Sequence, residues 1–124
     1  MKIRVYYEDV DAGGIVYHSK YINFCERARS EVFFSQGISP KLGEYHFVVK
    51  SLEASYYRPA FLGDILEIGT KLIESKGAVV RLHQWAQKGE ELCFEMQITL
   101  VCMRGSRPVR LPQEFVQVLQ SVRN

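Results

Sequence analysis

The sequence has no apolar run long enough to cross a membrane. A spanning helix takes about 18 or more apolar residues, and no run here approaches that. Nothing resembles a signal peptide, because Met1-Lys-Ile-Arg-Val leads directly into strand-like sequence. Cysteine is sparse and odd in number. Cys25, Cys93 and Cys102 make no disulfide framework and fit no metal spacing. Free thiols point to a reducing compartment, so a cytoplasmic address is expected. His18, His46 and His83 lie far apart, without cysteine or carboxylate at ligand spacing, so no metal site is expected. Charge of one sign is also missing. The net charge is only +2, and no basic run is interleaved with aromatics, which excludes a nucleic-acid partner. No serine stands in a Gly-x-Ser-x-Gly elbow, which excludes an α/β-hydrolase. Repeats, low-complexity segments and linkers are absent. At 124 residues the chain is expected to form one domain, 1–124.

What is present is a clear alternation of patterns. With 47% hydrophobic residues, the chain can bury a core without staples. Residues 2–7 alternate apolar and polar and predict a short strand. Residues 19–36 predict the one long helix, since Tyr21, Phe24, Cys25, Ala28 and Val32 recur along one stripe. Gly37 is placed to stop it, and Ser39-Pro40 predicts one further short helical turn. Residues 47–57 are rich in strand formers and stop before Arg58-Pro59. Residues 65–75 put Leu66, Ile68, Thr70 and Leu72 on one face. Val80, Leu82 and Ala86 continue the alternation, with Gln84 as a polar interruption. Leu92, Phe94, Met96, Ile98, Leu100 and Cys102 give the cleanest period of two. Cys93 falls on the opposite face. Lys76-Gly77 and Lys88-Gly89-Glu90 read as hairpin connections, so these three strands predict an antiparallel meander. Phe115, Val116 and Leu119 predict a short helix within 112–122. A strand of ten residues spans about 33 Å and a helix of seventeen about 26 Å. One apolar sheet face and one helix stripe of such lengths bury each other, which predicts an α+β fold.

Between the first strand and the helix runs Asp9-Val-Asp-Ala-Gly-Gly-Ile-Val-Tyr-His-Ser19. Gly13-Gly14 permits positive φ and close approach of a ligand. The helix begins near Ser19, so the backbone N–H groups from Tyr17 to Lys20 are candidates to lack partners. A helix N-terminus carries roughly half a positive charge and favours anions. Asp11, His18 and these amides therefore suit acyl transfer, where an oxyanion needs donors and water or an acyl carbon needs a base or nucleophile. The alternative is an ordinary turn in which Asp9 and Asp11 are turn formers and His18 caps the helix.

The run Tyr6-Tyr-Glu-Asp-Val-Asp-Ala-Gly-Gly-Ile-Val-Tyr-His18, with Tyr21-Ile-Asn-Phe24 and Glu26-Arg-Ala-Arg29, resembles the hotdog-fold acyl-CoA thioesterases. It is most similar to the 4-hydroxybenzoyl-CoA thioesterase group and its YbgC type, associated with the Tol-Pal system. Tyr57-Arg-Pro-Ala60 and Leu62-Gly-Asp64 are weaker landmarks. The resemblance implies a long antiparallel sheet wrapped around one central helix. It implies an acyl-CoA substrate and no metal or redox cofactor. Asp11 matches the family's catalytic aspartate, as nucleophile or general base. The His18 amide matches the donor that polarises the thioester carbonyl, and the imidazole is a further candidate. Next to a helix N-terminus that ring is expected to be neutral. Asp9 matches no catalytic position and is expected to orient the loop. Tyr7 and Gly14 are candidate pocket residues, and Arg58 is a candidate for a coenzyme A phosphate. The resemblance also implies a homodimer or homotetramer with its site at the junction of two sheets. An acyl carrier protein is a further partner it admits. A hydratase or dehydratase on the same fold, or a binding module without turnover, remains open on the residues alone.

Overall fold

The computed structural model describes residues 1–123, and Asn124 lies outside them. The elements are β1 (Lys2–Arg4), α1 (Lys20–Phe34), β2 (Tyr45–Tyr56), β3 (Ile65–Lys76), β4 (Val79–Lys88), β5 (Glu91–Arg104), β6 (Arg107–Pro108) and α2 (Gln113–Gln120). The strands form one antiparallel sheet in the order β1-β3-β4-β5-β2, with β6 on the end of β5. The expected meander is β3-β4-β5. Register shifts at Val49/Ser51, Leu72/Glu74 and Ala86/Gln87 mark bulges, which add curvature and twist. The sheet curls around α1, as the hotdog resemblance implies.

The concave face carries the core. Leu66, Ile68, Leu72, Val80, Leu82, Ala86, Phe94, Met96, Ile98, Leu100 and Cys102 are all buried there. The helix contributes Tyr21, Phe24, Cys25, Ala28 and Phe33. Val32 is partly buried against the core as expected, and Phe33 beside it is buried as well. Phe33 packs edge-on against Phe47 (5.9 Å) and Phe115 (5.4 Å), tying α1 to β2 and α2. Each such fully buried side chain contributes roughly 1.5–3 kcal/mol. Gly37 ends the helix at φ +77°, with Ile38 N–H donating to Phe33 O (3.1 Å) and Gly37 N–H to Phe34 O (3.0 Å). That closure uses the left-handed region that glycine enters freely.

Several local expectations are corrected. The first strand ends at Arg4, and Tyr7–Asp9 form a turn of 3-10 helix instead. Ser39-Pro40 forms no helical turn. Cys93 is buried, because the bulge at Ala86/Gln87 breaks the alternation beside it.

The two long edges of the sheet differ. Beyond β1, the β3 edge is engaged by both ends of the chain. Ile68 N–H donates to Met1 O (2.8 Å) and Leu72 N–H to Val122 O (2.7 Å). The β2 edge has no neighbour among the described residues. Helix α1 packs chiefly on β3 and β4, so Val49, Leu52 and Tyr56 of β2 remain exposed.

The outer face is polar. His83 Nε2 lies 2.9 Å from Glu95 Oε1, and the Tyr57 hydroxyl donates to Glu95 Oε2. The Tyr57 and His83 bonds hold the Glu95 carboxyl below the usual carboxylate range. This carboxylate partner of His83 comes from the neighbouring strand, so sequence spacing could not reveal it. Next to His83, Trp85 lies flat over Gly69. A Cβ at Gly69 would fall 2.0 Å from Cζ2 of the indole. Gly69→Val should therefore expel the ring and destabilise the protein by about 1–3 kcal/mol. Urea unfolding followed by the fluorescence of the single tryptophan checks this; the variant should start from a red-shifted native spectrum.

Candidate active site

The segment from Asp9 to Tyr17 folds as a small hairpin. Tyr17 N–H donates to Asp9 O (2.8 Å), Val10 bridges Val16, and Asp11 N–H donates to Ile15 O (2.9 Å). The hairpin is docked on the β2–β3 connection. Val16 N–H donates to Ala60 O (2.9 Å) and Leu62 N–H to Gly14 O (3.2 Å). Gly14 sits at φ +82°, where a side chain would be strained.

The two acids are divided by environment. Asp9 is only 6% exposed, and its Oδ2 accepts from Tyr6 N–H at 2.8 Å. Asp11 stands exposed at the tip. Its Oδ1 accepts from Gly13 N–H (2.8 Å) and Ile15 N–H (3.4 Å). A Cβ at Gly13 would lie 3.3 Å from that oxygen, so the glycine lets the carboxylate fold back onto the turn. Oδ2 has no protein donor among the described residues. The turn-forming alternative thus describes one oxygen of Asp11 and leaves the other available.

Two of the four amides expected to lack partners are engaged, Tyr17 with Asp9 O and Lys20 with Tyr17 O (2.9 Å). The N–H groups of His18 and Ser19 have no protein acceptor among the described residues. The Ser19 side chain makes no capping bond, and the first turn of α1 contains no acid. No acid within the first turn offsets the positive end of the helix dipole. The His18 ring is exposed and leans on Tyr17, with centroids 4.3 Å apart. The His18 carbonyl accepts from the Tyr56 hydroxyl at 2.7 Å. Tyr56 was not singled out from the sequence. It reaches the helix entrance from the end of β2, and no local spacing signals such a contact.

Asp11, Gly14 and His18 therefore belong to one loop-and-helix unit. Tyr7 borders it on the solvent side and is 83% exposed. The Arg58 guanidinium is directed to Glu91, with Nε 3.7 Å from the carboxylate. Among the described residues, no three His, Cys, Asp or Glu side chains are grouped to hold a metal ion.

A curled sheet over one helix, with a carboxylate loop at the helix entrance, defines the hotdog class of thioesterase-like proteins. The family model described as the thioesterase-like superfamily matches residues 5–119. The chain is 49% identical to the acyl-CoA thioesterase YbgC of Helicobacter pylori, over 98% of this chain and 100% of that one. It is 38% identical to the acyl-CoA thioester hydrolase YbgC of Escherichia coli O157:H7, over 92% and 90% of the two chains. The solved structure of a probable thioesterase from Bartonella henselae, 31% identical, matches with a TM-score of 0.85 over 90% of this chain and 97% of that one. An Aquifex aeolicus protein at 24% identity shares the fold, with a TM-score of 0.91 over 96% of this chain and 97% of that one. This chain belongs to the thioesterase-like superfamily, and its similarity is to the YbgC type within it.

Asp9 tests how far the loop depends on its buried acid. Asp9→Ala leaves the Tyr6 N–H without its partner and should cost about 1–3 kcal/mol. The exposed neighbour Glu8→Ala should stay within about 0.5 kcal/mol of the parent. Urea midpoints at constant slope check the difference.

Proposed function

We propose that this chain hydrolyses acyl-coenzyme A thioesters to a carboxylic acid and free coenzyme A, without a resident metal or redox cofactor. The observation that carries the reading is a carboxylate with one unengaged oxygen in the same loop-and-helix unit as two unclaimed helix-entrance amides. The names of the YbgC relatives support the same activity. The His18 and Ser19 amides receive the thioester oxygen as negative charge develops on it. Asp11 Oδ2 either attacks the acyl carbon or takes a proton from the water that does so. The C–S bond then breaks, and the thiolate leaves and is protonated; on the nucleophile route water then cleaves the acyl-Asp11 anhydride, which releases the acid and restores the carboxylate. Gly13 and Gly14 permit close approach of the acyl group. The Tyr56 hydroxyl holds the His18 carbonyl and thereby aims the Ser19 amide, which shares that peptide plane.

Asp11→Asn keeps the turn but removes the base or nucleophile. Turnover should fall by at least ~10²–10⁴ while acyl-CoA still binds. His18→Ala retains the backbone donor and should lose less. The measurement is kcat over short, aromatic and long acyl-CoA substrates, with an enoyl thioester as the hydratase control. Near-native turnover by a folded Asp11→Asn variant would refute this reading. Tight binding without turnover in the parent would make the chain a binding module.

The reading includes assembly through β2. An unpaired strand edge is a template for another strand, and Val48, Val49, Leu52 and Tyr56 leave apolar surface beside it. A second copy paired antiparallel would bring the start of one β2 toward the helix entrance of the other. Sedimentation velocity at micromolar concentration should show a dimer or tetramer. A strictly monomeric, fully active species would exclude the shared site.

A further inference from the structure

Between α1 and the sheet lies a cavity of about 240 Å³, formed by residues other than those of the Asp11 loop. Phe33, Phe47, Val80, Leu82 and Leu100 give it an apolar wall. Arg29 of α1 also lines it. The Arg29 guanidinium donates to Oε1 of Gln84 at 3.4 Å, and Gln84 is itself fully buried. Both donors of the Gln84 amide are engaged, by Cys25 O (2.8 Å) and Thr70 Oγ1 (2.9 Å). The polar interruption in β4 is thus a bracket that orients a guanidinium.

Arg29 has no ion-pair partner among the described residues. Glu26, the one carboxylate lining the cavity, accepts from the Ser30 hydroxyl at 2.7 Å. Cys25 is a neutral thiol, its pKa pushed up to about 12 by burial. Lys41 and His46 line the cavity but are no source of negative charge. Burial lowers the Arg29 pKa below the usual guanidinium value, yet arginine stays protonated in proteins. Arg29 is half-buried, and a cation partly withdrawn from water is costly unless an anion accompanies it. Here the chain provides one neutral acceptor at hydrogen-bond distance; the Glu26 carboxylate is near enough to hold the Arg29 pKa up but forms no ion pair with it. Because Thr70 Oγ1 accepts from Gln84, its own hydroxyl proton is available for a second ligand contact.

We propose that this cavity binds an apolar group bearing a carboxylate, with Arg29 and Thr70 meeting the carboxylate oxygens. An apolar cavity of ~150 Å³ admits benzene, so by proportion this one takes a group of roughly nine or ten heavy atoms. Two sources have that chemistry. One is a free carboxylic acid. The other is a carboxylate at the far end of an acyl-CoA's acyl chain, an arm that rests on the hydrolase reading above.

Titration calorimetry with octanoate and 1-octanol, on the parent, Arg29→Met and Arg29→Lys, tests the site directly. Octanoate should bind the parent about 10- to 100-fold tighter than octanol. Arg29→Met should erase that preference, and Arg29→Lys should keep part of it. Equal binding of the two ligands by the parent, no octanoate binding at millimolar concentration, or an unchanged preference in Arg29→Met would each overturn the proposal. Should Arg29→Met fail to fold, Val49→Trp takes its place, since Val49 lines the cavity and is half-exposed. It must then weaken both ligands, and unchanged octanoate binding would reject the site. The sources separate in kcat/KM for ω-carboxyoctanoyl-CoA against octanoyl-CoA. A preference for the first that Arg29→Met removes assigns the acyl chain. Equal response of both thioesters, with octanoate binding still dependent on Arg29, assigns the free acid. Turnover of neither thioester would exclude the acyl-chain source and leave the octanoate result as the test of this cavity, the hydrolase reading being decided by the wider acyl-CoA series.

Discussion

A helix about 10–12 Å across has to cover a curled sheet whose strands lie about 4.8 Å apart. The path β1-β3-β4-β5-β2 contains four such intervals, roughly 19 Å of concave surface. One helix cannot screen that width from water. In this chain α1 sits over β3 and β4, while α2 and the aromatic contacts of Phe33 fill in toward β2. What remains is the uncovered inner face of β2 and the cavity beneath the helix. Both features belonging to the proposed functions, the apolar edge and the lined cavity, arise from this mismatch in width.

The loop proposed to carry the chemistry meets a different constraint. A carboxylate needed for chemistry must be held still and yet keep an oxygen free. The hairpin does this by using Asp11 Oδ1 for its own turn and placing Asp9 inward to close the neighbouring backbone. Burial of Asp9 and exposure of Asp11, two residues apart, follow from their places in the chain: Asp9 closes the 3-10 turn Tyr7–Asp9, whereas Asp11 stands at the hairpin tip.

Much of this was legible in the sequence because periodicity reports burial. The alternation from Phe94 to Cys102 marks β5 and its buried face, and the stripe from Tyr21 to Ala28 marks α1. Legibility fails where partners come from different elements. Val32 and Phe33 are both apolar and both meet the core, and only the position of Phe47 and Phe115 makes Phe33 the more deeply buried. The Ser39-Pro40 pair has turn chemistry without the hydrogen bonds that would make a helix. The Asp11 loop could be read because its residues are contiguous. The Tyr56 contact with His18 and the Arg29 bracket could not, since each spans elements far apart in sequence. Gln84 was visible as an interruption, but its partners were not. Arg58 illustrates the converse, a cation suited to phosphate by type whose nearest acid is Glu91.

Gln84 also has a consequence for positional tolerance. Its amide joins β4 to the Cys25 carbonyl of α1, and both partners are buried. Apolar packing alone is forgiving of small translations, since one methyl group replaces another in a neighbouring groove. A hydrogen bond inside the core is not, because displacement strands a polar group at a cost of about 1–3 kcal/mol. A helix shifted by two residues would carry its leading amides about 3 Å along the axis, enough to lose contact with a bound oxygen. The glutamine therefore acts as an alignment pin: a single polar bond in the interior fixes how far the helix entrance stands from whatever the loop holds.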